Sequence, residues 1–334
     1  MQPDLSVSLG SLRLKNPVVC ASGEWTMSAE DIRAALDAGA AAVVAKSTNE
    51  SQAARRQLAS AEYVFLDERW RPVEPARASS LFNRSGLVGE QIDLWLETLA
   101  RADADARARD AYVVASLIPA DLDELGALAR AAEQAGLRWL ELNLGAAHGE
   151  EAVPGAIELV GDAERVDEIV GRVRRAVSLP LTVKLPGQGD VLALAAAAHE
   201  AGADSLCLAG RALGFLPDPD TRRSVLRTFG GIGGGWALPL TLRWVAKARL
   251  RLGRDVPIVA TNGVRDGRDV VRALLAGASA AQLGTTVWVE GPGALRSTLA
   301  ELSEYLEREA ASAEELVGQA ADAAMTYEEA GRTA

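Results

Sequence analysis

The chain has 334 residues, of which 49% are apolar, 24% charged and only 4% aromatic. These fractions exclude a disordered protein, and no uncharged apolar run approaches the ~18 residues that a membrane-spanning helix needs. The 46 acidic and 35 basic residues give a net charge of −11, which argues against partners such as nucleic acid or an anionic membrane.

Short apolar runs alternate with Ala-rich amphipathic stretches along the chain, which is typical of parallel strands buried on both faces and joined by helices. Eight such strand–helix units predict an α/β protein with a (β/α)₈ (TIM) barrel, formed as a single domain over residues 1–334. We predict strands at 17–21, 41–45, 112–117, 138–144, 180–185, 204–208, 257–261 and 279–284. We predict helices at 28–38, 90–103, 121–135, 163–176, 190–201, 238–251, 266–276 and 291–308.

An Ala-Gly pair precedes four of these strands and forms a weak internal repeat. The four glycines are Gly39, Gly136, Gly202 and Gly277. A glycine just past a helix can adopt the left-handed conformation from which the chain turns into the next strand. The repeat therefore supports the predicted alternation of helices and strands.

Four segments go beyond a minimal barrel. Residues 4–15 alternate in polarity and predict an N-terminal hairpin that closes one end of the barrel. Residues 48–88 and 209–237 are long loops after strands 2 and 6, on the face where barrel enzymes carry their active sites. Residues 311–330 predict a last acidic helix as a C-terminal extension.

The strongest chemical signal follows strands 7 and 8, which run into Thr261-Asn262-Gly263 and Gly284-Thr285. Glycine-rich turns here let backbone N–H groups approach an anion, and barrels often bind a phosphate at this pair of loops. The alternative interpretation is a pair of ordinary strand–helix turns.

Two of the chain's four lysines, Lys46 and Lys184, stand at strand ends, whereas its surface cations are mostly Arg. At the barrel mouth each ammonium could stabilise negative charge on a ligand, or form a Schiff base if its pKa were lowered. Either side chain could also simply reach outward to solvent.

Two further features point to a flat ligand. Asn143 ends strand 4 with an amide that can both donate and accept hydrogen bonds. The run from Phe229 to Gly235 is rich in glycine, which favours close approach of the backbone to a ligand, although a flexible hinge would also explain it.

Taken together, these motifs resemble the dihydroorotate dehydrogenase family, in the order and spacing of its soluble class 1 enzymes, over about residues 4–308. The resemblance implies FMN held on the C-terminal face of the barrel, with Lys184 at the N1/O2 edge of its isoalloxazine ring. It also implies that Lys46 and Asn143 touch both flavin and substrate. The implied cofactor-binding residues are Ala21, Ser22, Gly23, Lys46, Ser47, Asn143, Lys184, Gly210, Gly230, Gly231, Asn262, Gly263, Gly284 and Thr285, and the implied substrate-binding residues are Asn83, Gly86, Leu87, Asn143 and His148.

The chain departs from the family pattern on the substrate side. Ala146 stands where the family has its Cys or Ser general base, and His148 stands where it has a substrate-binding Asn. Ala209-Gly210 replaces an Asn-Ser/Thr pair after strand 6. Since alanine cannot accept a proton, ordinary dihydroorotate oxidation is not expected.

His148 is the first candidate for a replacement acid or base, because histidine titrates near neutral pH; Glu150 and Glu151 follow on the same loop. A substrate that needs no protein base is the alternative. Trp25 could face the substrate or pack at the rim.

The sequence therefore predicts a cytoplasmic FMN-dependent oxidoreductase that acts on a small polar planar or cyclic substrate. The predicted catalytic residues are His148, Lys184, Lys46 and Asn143. Its two cysteines, Cys20 and Cys207, are too few for an iron–sulfur or other cysteine metal cluster, so a soluble electron donor or acceptor is expected. By analogy the protein would be a homodimer. Two alternatives remain: a flavin-free Schiff-base lyase that binds a phosphate, and a non-catalytic flavin-binding partner subunit.

Overall fold

The computed structural model describes residues 3–58, 61–146 and 160–333. Within these ranges the strands, in chain order, are β1 (Val7–Leu9), β2 (Leu12–Leu14), β3 (Val18–Cys20), β4 (Ala42–Val44), β5 (Glu62–Leu66), β6 (Ser80–Arg84), β7 (Tyr112–Leu117), β8 (Leu140–Asn143), β9 (Leu181–Lys184), β10 (Ser205–Leu208), β11 (Ala212–Gly214), β12 (Pro217–Asp218), β13 (Arg223–Ser224), β14 (Gly230–Gly234), β15 (Ile258–Thr261) and β16 (Ala280–Leu283).

The helices of the same ranges are α1 (Ala29–Asp37), α2 (Gln52–Leu58), α3 (Ile92–Arg107), α4 (Leu122–Gln134), α5 (Ala163–Ala176), α6 (Val191–Glu200), α7 (Leu238–Leu252), α8 (Gly267–Ala276), α9 (Thr285–Glu290), α10 (Gly293–Glu309), α11 (Gln319–Asp322) and α12 (Tyr327–Thr333). Across these described helices, none is long and apolar enough to cross a membrane.

The predicted (β/α)₈ barrel is confirmed. The eight strands β3, β4, β7, β8, β9, β10, β15 and β16 pair in parallel in that order, and β16 pairs with β3 to close the barrel. Their residues are almost all buried. Cys20 and Cys207 are both fully buried in these strands, and burial raises the pKa of the Cys20 thiol to about 12.

Local sequence signals begin and end the barrel helices. Ser28, Asp121, Asp162, Asp190 and Asp266 each accept a backbone N–H of the helix that follows, and so satisfy an N-terminal donor. At the other end, the four glycines of the Ala-Gly repeat have φ between 95° and 108°. The prediction that these glycines adopt the left-handed turn is confirmed.

The predicted N-terminal hairpin is confirmed as β1 and β2, which pair antiparallel. Its turn residue Gly10 lies against Asp204 and Pro257, the residues that lead into β10 and β15. The hairpin therefore packs at the N-terminal end of the barrel, opposite the strand ends that carry the predicted site.

The long loops after the second and sixth barrel strands join into one structure that the sequence did not predict. Strands β5 and β6 of the first loop and β11 and β14 of the second form an antiparallel sheet in the order β11-β14-β6-β5. The glycine run expected to be a loop is strand β14, hydrogen-bonded on both sides. This sheet stands over the C-terminal face of the barrel.

The prediction of one helix over 311–330 is wrong. The described chain there forms a short 3₁₀ turn, then α11 and α12. Gly318 interrupts the pattern with a left-handed φ of 84°, packed closely against the Arg249 guanidinium. Arg249 in turn donates to both carboxylate oxygens of Asp322, at 3.0 and 2.9 Å, and holds this segment on α7.

Candidate functional site

A cavity of about 530 Å³ opens at the C-terminal ends of the barrel strands. Its barrel wall includes Lys46 after β4, Asn143 at the end of β8, and Lys184 at the end of β9. Its opposite wall includes Ser80 of β6 and Gly234 of β14. The cavity therefore lies between the barrel and the sheet formed by the two long loops.

Most of the residues predicted from the sequence line this one cavity. They come from seven separate loops or strand ends and meet because parallel strands end on the same face. The predicted residues that line the cavity are Ala21, Ser22, Gly23, Lys46, Ser47, Gly86, Leu87, Asn143, Lys184, Gly210, Asn262, Gly263, Gly284 and Thr285. His148, Glu150 and Glu151 lie outside the described residues.

Three predicted residues do not line the cavity: Asn83, Gly230 and Gly231. A Cβ atom on Gly231 would lie 3.4 Å from the guanidinium carbon of Arg211, and one on Gly230 would lie 2.9 Å from the carbonyl oxygen of Asn83. Gly230 therefore makes room for neighbouring protein atoms, whereas a Cβ on Gly231 would make an ordinary van der Waals contact. Gly234 and Gly235, later in the same run, are the ones that reach the cavity.

Lys184 is held by a buried polar network. Its Nζ donates to Gln282 Oε1 at 3.0 Å and lies 3.9 Å from Glu141 Oε1. Gln282 Nε2 in turn donates to Glu141 Oε2 at 2.8 Å. The ammonium thus faces the cavity from a fixed position, as the sequence predicted for this lysine.

Asn143 is oriented from both ends of its amide. Its Nδ2 donates to Ser47 Oγ at 3.1 Å, and its Oδ1 accepts the backbone N–H of Gly145 at 3.1 Å. Ser47 also lies within hydrogen-bond distance of Ser116 Oγ at 2.8 Å and of Ser22 Oγ at 3.5 Å. A chain of small polar groups therefore lines this wall.

The structure adds Glu24, which the sequence analysis did not select. Glu24 Oε1 accepts hydrogen bonds from Lys46 Nζ and from the Tyr63 hydroxyl, each at 2.5 Å. The side chains of Lys46 and Glu24 are 6% and 16% exposed, so this is a largely buried ion pair. An acidic residue directly after the strand-end motif Ala21-Ser22-Gly23 was the available signal.

Burial and charge oppose each other in this pair. Burial would raise the pKa of Glu24, but the Lys46 charge and the hydrogen bonds from Lys46 and Tyr63 outweigh it and hold the pKa below its usual value. Burial lowers the pKa of Lys46, and the Glu24 carboxylate only partly offsets this effect. Glu24 is therefore a carboxylate at neutral pH.

Arg211 is a second cavity residue that the sequence analysis missed. It follows Ala209-Gly210, donates to Asn83 Oδ1, and lies 3.3 Å from Ser85 Oγ. Burial lowers its pKa, but a guanidinium stays charged at neutral pH. No carboxylate of the described chain lies within ion-pair distance of it, so Arg211 offers a positive charge to a ligand.

The turns after the seventh and eighth barrel strands both reach the cavity. Asn262 and Gly263 are consecutive left-handed residues, with φ of 74° and 98°. Thr241 Oγ1 donates to the carbonyl oxygens of Thr261 and Asn262 at 3.1 and 2.8 Å and fixes the turn. Gly284 and Thr285 line the cavity from the neighbouring strand β16.

The position of the missing base lies on an apolar wall. Ala146 lines the cavity and packs with Leu87 and Ile118. This wall presents no titratable group among the described residues, in contrast to the Glu24 side of the cavity. The cavity therefore differs in polarity from one wall to the other.

Aromatic residues frame the entrance. Trp70 and Trp236 both line the cavity and remain 45% and 41% exposed, with ring centroids 6.3 Å apart. Trp25 also lines the cavity, and its indole N–H donates to the carbonyl oxygen of Ala21 at 2.8 Å. The Trp70 and Trp236 rings meet edge to face, at an interplanar angle of 71°, and so contact each other directly.

Comparison with known proteins agrees with this geometry. The family model described as dihydroorotate dehydrogenase matches residues 4–306. Similar proteins include the dihydroorotate dehydrogenase B (NAD(+)) catalytic subunits of Thermoplasma acidophilum, Geotalea daltonii and Pyrococcus furiosus. The first is 30% identical over 92% of this chain and 95% of its own; the others are 31% and 29% identical over 95% of this chain and 98% of theirs. The chain therefore belongs to the dihydroorotate dehydrogenase family, a family of oxidoreductases.

Proposed function

We propose that the protein is an FMN-dependent oxidoreductase that acts on a CH–CH or C=C bond of a small polar planar or cyclic substrate other than dihydroorotate. The observation that carries this proposal is the convergence of Lys184, Lys46 and Asn143 on one cavity whose base position is Ala146. The first three residues support a retained flavin side of the family site, and Ala146 supports an altered substrate side.

The cavity residues fit FMN. The volume of about 530 Å³ lies within the range of about 300–1,000 Å³ that is usual for small-molecule sites. The turns at Gly263 and Gly284 line the cavity and would offer backbone donors to a phosphate, and Lys184 would offer a cation to the ring edge. When bound, FMN would supply the hydride-transfer chemistry.

Side chains of the cavity would bind and orient the cofactor and the substrate. Lys184 would compensate negative charge at the ring edge, and Asn143 and Lys46 would hold the substrate against the ring. Arg211 would bind an electronegative or anionic group of the substrate, since it has no carboxylate partner among the described residues. Glu24 and Tyr63 fix the position of the Lys46 ammonium.

The proton that accompanies hydride transfer has two proposed routes. His148 would exchange it as the acid or base, or the substrate would need no protein base and exchange it with water. Electrons would reach or leave the site through a soluble donor or acceptor. We also propose a homodimer, by analogy with the family.

We expect L-dihydroorotate to reduce the bound flavin slowly or not at all, because a positioned general base contributes about 10²–10⁴-fold to such a step. The measurement is anaerobic stopped-flow loss of the oxidised flavin absorption, with dithionite as the positive control. A panel of cyclic amides, lactams and unsaturated acids would then identify the substrate. Rapid reduction by L-dihydroorotate would show that the altered base position does not change the substrate.

Gly263→Ala tests the phosphate turn. The left-handed φ of 98° costs an alanine about 1–2 kcal/mol, and its Cβ would press against the backbone nitrogen of Leu238. We expect lower stability together with at least tenfold weaker FMN binding. Gly136→Ala is the matched control, since Gly136 has a φ of 95° and no atom within 4 Å of an added Cβ. If both variants bind FMN like the wild type, the turn does not hold the phosphate.

A Schiff-base lyase is the second candidate, and one observation favours it: burial lowers the pKa of Lys46 in the direction that a nucleophilic lysine needs. The ion pair with Glu24 opposes this chemistry, because it stabilises the protonated amine. Borohydride treatment in the presence of a panel of small aldehydes and ketones distinguishes the candidates. Covalent labelling of Lys46 or Lys184 would support the lyase, and unlabelled lysines would support the oxidoreductase.

A further inference from the structure

A carboxylate lies buried beneath the cavity, at the centre of the network that holds the site's polar side chains. Glu141, in β8, is only 1% exposed. Its side chain forms part of the barrel interior, where an unpaired charge would be strongly disfavoured. The proposed chemistry does not use this carboxylate directly, so the presence of a charged group in the barrel interior requires an explanation.

The first branch of the network leads from Glu141 to Lys184. A carboxylate can only accept hydrogen bonds, so the Gln282 amide turns its Nε2 donor toward Glu141, at 2.8 Å. The amide oxygen of Gln282 must then face the other way, where it accepts from Lys184 Nζ at 3.0 Å. Glu141 thereby fixes the orientation of the amide and, through it, of the ammonium.

The second branch leads from Glu141 to Asn143. Ser116 Oγ donates to Glu141 Oε1 at 3.2 Å, so its own oxygen accepts from the Ser47 hydroxyl at 2.8 Å. Ser47 has then used its proton and accepts from Asn143 Nδ2 at 3.1 Å. Ser116 and Ser47 are 1% and 5% exposed, so water does not compete for these bonds.

Both branches start at Glu141. Because its carboxylate can only accept hydrogen bonds, it determines which group donates in each hydrogen bond of the two branches. In addition, its Oε1 lies 3.9 Å from Lys184 Nζ and partly offsets that positive charge in a site that is poorly screened by solvent. The same group therefore acts on Lys184 through an oriented amide and through its charge.

We propose that Glu141 is a positioning residue that orients Lys184 and Asn143 and whose charge lowers the reduction potential of bound FMN. This inference rests on the proposed function. Reduction of FMN held as proposed would place negative charge near Lys184, and a carboxylate behind the ammonium would make that charge less favourable. Without it, Lys184 would stabilise the reduced state more strongly.

The test is the midpoint potential of the FMN-loaded protein, measured by dye equilibration. Glu141→Gln keeps the side-chain shape and removes the charge. We expect it to shift the equilibrium toward reduced flavin about tenfold, which for a two-electron couple is a rise of about 30 mV. Glu141→Asp keeps the charge and is expected to retain a potential close to that of the wild type.

A second variant works in the opposite direction and serves if Glu141→Gln fails to fold. Gln282→Met would remove the amide oxygen that accepts from Lys184 Nζ and leave the Glu141 carboxylate to accept from the ammonium. We expect the potential to fall, because the carboxylate would then offset more of the ammonium charge. A potential that is unchanged or lower in Glu141→Gln, or unchanged or higher in Gln282→Met, would overturn the inference and leave Glu141 a structural role at most. If the wild type binds FMN but the potentials of the variants equal that of the wild type, only this inference is wrong. If the wild type binds no FMN, the proposed function is wrong as well.

Discussion

Replacing Glu24 with alanine should lower the free energy of unfolding by about 3 kcal/mol, because it leaves a buried ammonium without its counter-charge. Lys46 is 6% exposed on its side chain and lies 2.5 Å from the Glu24 carboxylate. The loss also removes the acceptor of the Tyr63 hydroxyl, which ties β5 to the barrel loop. Urea unfolding of the cofactor-free protein measures the change.

A double-mutant cycle separates this ion pair from general packing. The variants are Glu24→Ala, Lys46→Met and the combination of both. Since the double variant leaves no unpaired buried charge, we expect it to be less destabilised than the sum of the single variants by more than about 1 kcal/mol. The pair would be solvated and contribute little to stability in either of two cases: if the losses in unfolding free energy of the two single variants add up to that of the double variant, or if Glu24→Ala loses less than about 1 kcal/mol.

Replacing Lys184 with alanine should weaken FMN binding by about 10- to 100-fold. A hydrogen bond to a charged group contributes about 1.5–3 kcal/mol, and Gln282 already fixes the Lys184 ammonium toward the cavity. Titration of the cofactor-free protein with FMN, followed by quenching of flavin fluorescence, gives the dissociation constant directly and needs no substrate.

The control for this variant is Lys247→Ala, which removes an exposed cation from α7, away from the cavity. We expect it to bind FMN like the wild type, because exposed charges at a distance are screened. If Lys184→Ala also binds FMN with unchanged affinity, Lys184 does not contact the cofactor, and its resemblance-based assignment is wrong.

The barrel could be predicted because its signals are local. Each buried parallel strand is a short apolar run, and five of the described helices begin at a capping side chain such as Asp121 or Asp266. The residues at the strand ends then lie close together, because the carboxyl ends of parallel strands are all on the same face of the barrel. Lys46, Asn143 and Lys184 could therefore be assigned to one cavity from sequence alone.

The sheet above the cavity could not be predicted in the same way. It pairs β6 with β14, which lie far apart in the chain, and β14 is built almost entirely of glycine. Glycine has little strand propensity, so only the pairing partners make this segment a strand. Arg211 could not be assigned to the cavity either, because its position depends on this sheet.

The glycine run also shows why residue type alone does not tell which of its glycines reach the cavity: Gly234 and Gly235 line it, and Gly230 and Gly231 do not. A glycine is required both where a ligand approaches the backbone and where a neighbouring side chain does, and the sequence does not distinguish the two cases. Here Arg211 and Leu226 occupy the space beside these two glycines. Glu24 was missed for a different reason: it begins a short 3₁₀ turn after β3, and only the fold brings it to Lys46.

The most direct test of the account is the stoichiometry of FMN binding by the purified protein. If the glycine turns and Lys184 hold the nucleotide as proposed, the protein will be yellow, or will become so on addition of FMN, with one FMN bound per chain. A colourless protein that takes up no FMN, even when the nucleotide is in excess, would contradict the account.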